Sequence, residues 1–497
     1  MYDTVESTEP GLAAPAASDR SRWLALVVLC GGMLLIVIDA TVVNVALPAI
    51  QRDLGFSSSG LAWVVNAYLI AFGGLLLLAG RLGDLVSRRR VFITGLVVFT
   101  TASLACGLAQ GPAMLIAARF VQGVGGAMTS SVILGMIVTL FPEPREQAKA
   151  IGVYSFVASA GGSAGLLAGG LLTQALNWHW IFFINLPVGV ATLVLSLRVL
   201  DRDKGLGFGA GTDVLGAVLI TAALMLGVYT IVDPAAARGW TAPRTLELAS
   251  VTLVLLIAFV VREATARSPL VPLRIFRSRN VTGANVVQAL AVSGMFGMFF
   301  LGVLYLQRVL GYDALRTGLA FLPTTVVMAT VSLRFAERLI TAFSVRATLL
   351  SGLTLAAVGL ALFARAPVNG VYLVDVLPSV VLIGTGVGVA FPALAALAMS
   401  DATPSDAGLA SGLINTTTQV GAAVGLAVLA TLSAAHGRTL AGHGASAVAA
   451  AAGGYRLGFV VAAALVAIAV LIAVTVPHRM ERRSSDSKDI FGIEERP

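Results

Sequence analysis

Long apolar runs alternate with short polar breaks along the chain. Fourteen such runs lie at 23–46, 61–80, 91–109, 113–138, 149–172, 178–198, 213–232, 246–262, 281–306, 315–333, 347–365, 373–397, 407–432 and 456–476. A helix crosses the hydrocarbon core of a bilayer in roughly 20 apolar residues. The runs are continuous, whereas the strands of a transmembrane barrel would alternate in polarity over shorter segments. The pattern therefore predicts an all-α integral membrane protein with fourteen transmembrane helices. No break is long enough for a separate soluble domain. The first 22 residues are polar and lack the basic start, short apolar core and small-residue cleavage site of a signal peptide, so the first helix is expected to be retained.

Composition sharpens this picture by exclusion. The 497 residues are 57% hydrophobic and 12% charged, with a mean hydropathy of +0.91; soluble domains carry about 25% charged residues. A cytosolic enzyme, a nucleic-acid binder and a disordered scaffold are excluded. The net charge of +8 is a topology signal. Counting the adjoining span ends, the tails and the breaks after even-numbered spans hold 24 Lys and Arg, and the breaks after odd-numbered spans hold 8. By the positive-inside rule both termini are expected in the cytoplasm. The excess of Arg over Lys, 30 to 3, suggests a G+C-rich bacterial genome and hence a bacterial cytoplasmic membrane. Cys30 and Cys106 lie inside apolar spans and read as small hydrophobic residues, with no disulfide framework or metal site. His436 and His443 fall in a Gly/Ala-rich break at 436–455, which reads as a solvated loop.

The chain also carries a weak internal repeat. Residues 81–96 (RLGDLVSRRRVFITGL) and 338–353 (RLITAFSVRATLLSGL) match at six of sixteen positions, each after the second span of its half. Two six-helix halves are a transporter signature. The expected organisation is a tail at 1–22, a six-helix bundle at 23–200, a linker with two extra helices at 201–280, a second six-helix bundle at 281–477 and a tail at 478–497. The segment 263–280 reads as a surface linker.

Charges inside membrane helices are costly and mark function by default. Asp39 lies about 24 Å along the first span at ~1.5 Å per residue. It could bind a proton or a cationic group, since desolvation disfavours the charged form of a carboxylate. Alternatively it could be tied structurally to neighbours such as Thr41 and Asn44. Arg119 is the second intramembrane charge. A guanidinium stays protonated, so it needs a polar partner: Asp39, or backbone carbonyls. If the two pair in one state only, protonating Asp39 would release Arg119 and bias the conformation. Gly161, Gly165 and Gly169, at i, i+4 and i+8 with Ala160, Ala164 and Ala168 beside them, form a small-residue stripe. It allows close helix packing, either generic or as a sliding contact between the halves. Gly80, Arg81, Gly83 and Asp84, followed by Arg88, Arg89 and Arg90, form a charged turn in which Asp84 could latch one state. Polar candidates for a substrate cavity are Asn44, Asn66, Tyr68, Gln122, Asn285, Gln288, Tyr305, Asn415 and Gln419. No phosphate-binding GxxxxGK[ST], HExxH or GxSxG motif occurs. The chain is thus expected to be no enzyme and to need no cofactor or metal, its energy coming from an ion gradient, a partner or the substrate's own gradient.

These motifs resemble the major facilitator superfamily, and within it the 14-helix drug:proton antiporter branch of the QacA/EmrB type, over residues 23–477. Asp39 to Pro48 is similar to that branch's first-helix signature, and residues 80–90 to the superfamily's cytoplasmic loop motif. Leu115 to Gly126, with Arg119, Gln122, Gly123 and Gly126, resembles the fourth-helix motif implicated in proton coupling. Gly161 to Gly170 resembles the fifth-helix antiporter motif, Trp178 to Pro187 the segment that follows, and Asp406 to Gly412 the start of the thirteenth helix. Three departures stand out: Leu166 replaces the usual motif proline, which removes an expected kink, Ser87 stands where glycine is usual, and Leu85 where a basic residue is common. Spans nine to fourteen hold no clearly buried acid, which argues against dications as substrates.

The resemblance implies a major facilitator fold and proton-coupled export of small amphipathic compounds by alternating access, with Asp39 and Arg119 coupling the proton. The expected partners are a small-molecule substrate, protons and the lipid bilayer, with no nucleic acid, and the protein is expected to work as a monomer. A metabolite symporter or facilitator is the rival within the fold. A non-transporting receptor or scaffold is the rival outside it.

Overall fold

The structure is a computed structural model that describes residues 19–57, 60–201, 203, 205, 207, 213–235, 238–267, 269–271, 273–399 and 407–475. Most of the two expected tails and Asp406 lie outside the described residues, as do the side chains of Asp84 and Ala160.

Sixteen α-helices follow one another: α1 Asp19–Leu54, α2 Trp63–Leu85, α3 Arg88–Gly107, α4 Pro112–Leu140, α5 Pro144–Ala175, α6 Trp180–Phe183, α7 Asn185–Val199, α8 Val214–Thr230, α9 Pro243–Thr265, α10 Arg279–Arg308, α11 Ala314–Arg334, α12 Ala336–Phe343, α13 Val345–Phe363, α14 Leu377–Met399, α15 Ala407–Gly442 and α16 Ala447–Thr475. Twelve stretches of described residues are long and apolar enough to cross a membrane, and shorter apolar stretches lie at Gly60–Leu76 and Ala164–Ala175. Each of the fourteen expected spans falls on helix. The helix starts are legible chemically. Proline opens α4, α5 and α9, where its missing N–H costs nothing. Ser87, Asp213, Ser278, Asp313 and Ser344 cap α3, α8, α10, α11 and α13 with their side chains.

Three boundaries differ from expectation. The expected loop at 436–455 is mostly helix, because α15 runs to Gly442 and α16 starts at Ala447. The segment is rich in alanine, the best helix former, and this outweighs its glycines. The sixth span breaks at Ile184 into α6 and α7. The expected surface linker is partly buried: Glu263 belongs to α9, and Val271 packs with Val281 and Leu413.

Helices α1 to α7 pack on one another, notably α1 on α5 and α7, α2 on α4, and α3 on α4 and α7. Helices α10 to α16 do the same, with α13 on α14 and α16, and α10 on α15 and α16. The pair α8–α9 sits outside, α8 against α2 and α15. Helix α9 turns Leu246, Val251, Leu253, Val254, Ile257, Val260 and Val261 outward, as a lipid-facing helix does.

The weak sequence repeat has a structural counterpart. Ser87 and Ser344 occupy matching positions of the repeat and each caps the following helix. Ser344 does so at φ 96°, the one positive φ of a non-glycine residue among the described residues. Eight residues on, Gly95 and Gly352 meet glycines of the next helix: a Cβ on Gly125 would lie 2.8 Å from the Gly95 carbonyl oxygen, and one on Gly386 would lie 2.5 Å from that of Gly352. The same cap and the same close crossing recur in both sets.

The two sets meet most clearly at the end of the bundle where α1 finishes. Gln307 of α10 donates to the Val45 carbonyl of α1 at 2.9 Å. A Cβ on Gly170 of α5 would lie 2.8 Å from the Ala314 carbonyl oxygen of α11, and one on Gly318 of α11 would lie 2.6 Å from that of Leu166. Midway along, Gly73 of α2 receives Gln419 of α15.

Candidate functional site

Asp39 and Arg119, 80 residues apart in sequence, form a direct ion pair with Arg119 Nη1 2.5 Å from Asp39 Oδ2. Their side chains are 0% and 1% exposed. The pair exists because α1 and α4 both pass through the middle of the first set and put their one internal charge at the same depth. Around it lies a closed hydrogen-bond network. Gln122, one turn on from Arg119, accepts from Arg119 Nη1 at 2.8 Å and donates to Asp39 Oδ1 at 2.7 Å. Asn185, the first residue of α7, donates to Asp39 Oδ1 at 3.0 Å and to Ser103 Oγ at 3.0 Å. Ser103 also accepts from Gln122 at 3.2 Å and donates to the Phe182 carbonyl at 3.0 Å. Arg119 Nε donates to the Val64 carbonyl at 2.9 Å, and its guanidinium lies 4.5 Å from the Tyr68 ring centre.

Burying an ion pair stabilises only when the remaining lone pairs and protons are also satisfied. Here every contact to Asp39 is a donor, so the site is built for a carboxylate. Arg119 has partners besides Asp39, namely Gln122 Oε1, the Val64 carbonyl and the Tyr68 face. It can therefore lose the Asp39 charge without becoming an orphan.

The amides that hold Asp39 belong to Gln122 and Asn185, and not to the neighbours Thr41 and Asn44. Thr41 donates back to the Val37 and Ile38 carbonyls, and Asn44 to the Ala40 carbonyl at 2.9 Å. Both hydrogen-bond along their own helix, as short polar side chains in apolar helices do. Ser103 and Asn185 join the site without standing out as charged residues in the sequence. Asn185 lies in the segment 178–187 that carried the resemblance; a single Ser103 in an apolar span gave no signal.

The other cavity candidates separate into three kinds. Asn285, Gln288 and Tyr305 are occupied: Asn285 accepts from Thr417 at 2.7 Å, Gln288 donates to Thr418 at 2.8 Å and Tyr305 to the Pro367 carbonyl at 2.6 Å. Asn66, Tyr68 and Gln419 hold buried polar atoms without a partner. Asn415 is exposed. Asn66 and Gly73 are seven residues apart on α2 and so share a face, which Gly73 turns toward Gln419.

The glycine stripe of α5 resolves into two contacts. Gly161 packs on Leu34 and Val37, Gly165 on Ile38 and Thr41, and Gly169 on Val42, all on α1 within the same set. Gly170 alone of the four glycines reaches across to α11, where the buried Leu166 also presents its carbonyl to Gly318. The stripe itself is therefore not the contact between sets.

At the charged turn, Gly83 lets α2 close on Val132 of α4, Gly80 lies beside Ser131, and Arg81 is half-buried. Arg88 donates to the Gly135 carbonyl and to Thr139, each at 3.1 Å, and Arg89 to the Leu197 carbonyl at 3.0 Å. The departure at Ser87 has a purpose. Its hydroxyl accepts from the Arg90 amide and donates to Asp203 Oδ1 at 2.5 Å, while Asp203 accepts the Arg88 and Arg89 amides at 2.6 and 3.2 Å. Partial burial alone would push the Asp203 carboxyl up, but these hydrogen bonds outweigh it and hold the carboxyl below the usual aspartate range. Asp203→Ala is expected to lower the stability of the detergent-purified protein by about 1 kcal/mol, the usual worth of a helix cap, read by thermal unfolding at pH 7. Because the folded pKa is depressed, this contribution is present above the unfolded pKa and disappears as pH falls through the folded one.

Among the described residues there is no group of three or more His, Cys, Asp or Glu side chains placed to hold a metal. The sequence pattern that describes the Major Facilitator Superfamily matches residues 29–426. The chain belongs to the Major Facilitator Superfamily. It is 40% identical to the puromycin resistance protein pur8 of Streptomyces alboniger over 93% of this chain and 92% of that one. It is also 40% identical to the cephamycin export protein CmcT of Amycolatopsis lactamdurans, over 82% and 84%. Both relatives are named for antibiotic resistance or export. Among solved structures, the inward-facing, unoccupied form of a bacterial homologue of the human lysosomal transporter Spinster superposes with a TM-score of 0.66 at 17% identity, covering 93% of this chain and 98% of that one. That likeness shows the fold.

Proposed function

We propose that this superfamily member exports small amphipathic compounds, with one cationic centre or none, in exchange for protons. The observation that carries the reading is the sealed Asp39–Arg119 network, in a chain whose relatives are named for antibiotic resistance and export. When a proton reaches Asp39, the acid no longer attracts Arg119, which falls back on Gln122, Val64 and Tyr68. The tie between α1 and α4 loosens, and the arrangement of the first set changes. One proton moving through 100 mV supplies about 2.3 kcal/mol. No cofactor is needed for this cycle.

We place both termini in the cytoplasm from the charge distribution, with bundles at 23–200 and 281–477 and the hairpin between them. The contacts between bundles at the end where α1 finishes then close the outer side, and the molecule faces inward. Asn66, Tyr68 and Gln419 are the polar groups with most to gain from a ligand, because their buried atoms lack partners. A monomer suffices, since the network and the bundle seam come from one chain.

Inside-out membrane vesicles test the direction. With an acid lumen, the wild type is expected to accumulate puromycin or a fluorescent monocationic dye. A symporter importing from the outside would instead empty the lumen, and that result would overturn the reading.

A further inference from the structure

A second group of buried charges lies in the hairpin, away from the Asp39 network. Asp213, at the start of α8, is 2% exposed and caps that helix through the Gly216 amide at 2.9 Å. Arg262 Nε, near the end of α9, bonds both Asp213 oxygens at 3.0 Å. Glu263, the next residue, is 3% exposed. Its Oε2 accepts the Val271 amide at 2.8 Å, but its Oε1 is buried with no partner. A Cβ on Gly216 would lie 2.7 Å from that unpartnered oxygen and 3.0 Å from Asp213 Oδ2. The two carboxylates thus flank one small space, and the glycine is what leaves room for them.

The charged groups facing Glu263 are Asp213 from α8 and Arg262 from its own helix; the linker presents the backbone amides of Val271 and Leu270. With both acids ionised the cluster carries one uncompensated negative charge on two buried carboxylates, which is costly. The geometry points to a proton-binding site in which Glu263 carries a proton on Oε1 and shares it with Asp213. The proton satisfies the orphan oxygen and brings the cluster to zero net charge. The site also has a mechanical consequence. Val271 packs on Val281 at the start of α10 and on Leu413 of α15, so Glu263 fastens the hairpin to the second set. Losing the proton would set two carboxylates against one arginine and push α8 and α9 apart at this end.

Infrared spectroscopy of the reconstituted full-length protein tests the site, with the protonated-carboxyl band followed across pH. At pH 7 the band is expected in the wild type and in Asp39→Asn, and absent in Glu263→Gln. Glu263→Gln is expected to keep the wild-type thermal midpoint, because its amide can donate where the acid's O–H does. Asp213→Asn provides a second route: without the neighbouring charge the band should move to lower pH. A band unchanged in Glu263→Gln, or no band in the wild type, would overturn the inference. A band lost in Asp39→Asn and kept in Glu263→Gln would place the proton at the transport site instead.

Discussion

Arg119→Leu is expected to destabilise the protein by about 3–5 kcal/mol, the cost of leaving a buried charge without its partner, and to abolish transport. The substitution strands Asp39 against two amide donors and frees the acceptors at Gln122 and the Val64 carbonyl. Arg119→Lys should rescue little. The guanidinium serves the Val64 carbonyl through Nε while Nη1 meets Asp39 and Gln122, and a single ammonium cannot span that fork. Thermal unfolding in detergent, together with export from intact cells, reads both effects. Near-wild-type stability in Arg119→Leu would show that the pair is dispensable to the fold.

Gly169→Ala and Gly170→Ala are expected to diverge although the two residues are adjacent. Each new Cβ meets backbone. At Gly169 it would lie 2.7 Å from the Val42 carbonyl oxygen on α1, and at Gly170 2.8 Å from that of Ala314 on α11. Overpacking of this kind costs about 1–3 kcal/mol. The Gly169 contact lies within one set and does not depend on the seam between sets, so Gly169→Ala lowers thermal stability. The Gly170 contact exists only while α5 and α11 touch. Gly170→Ala therefore shifts the conformational equilibrium toward states open at that end, by roughly tenfold per 1.4 kcal/mol. The readout is thiol labelling of a cysteine placed at Leu315: faster in Gly170→Ala, unchanged in Gly169→Ala. Equal labelling in both would remove α5–α11 from the account.

Much of this architecture was legible because membrane helices must be long, apolar and continuous. Each expected span lies on helix, and the repeat around Ser87 and Ser344 marked the two related sets. The ends were less legible: alanine-rich sequence at 436–455 continues as helix, where its glycines suggested a loop. At the site, Asp39 and Arg119 stood out as charges in apolar runs. Their neighbours Ser103 and Asn185 did not, because an uncharged polar residue in a membrane helix usually bonds its own backbone, as Thr41 and Asn44 do here. The role of the glycine stripe was illegible for a related reason. Spacing identifies a close-packed face, but only the fold says whether the partner is α1 or α11.

In the proposed cycle Asp39 carries the transported proton. Proteoliposomes with an imposed acid lumen, holding wild type or Asp39→Asn in inside-out orientation, test it most directly. The wild type is expected to accumulate substrate against its gradient. Asp39→Asn is expected to pass substrate downhill or exchange it, with no accumulation. Accumulation by Asp39→Asn at the wild-type level would contradict the account.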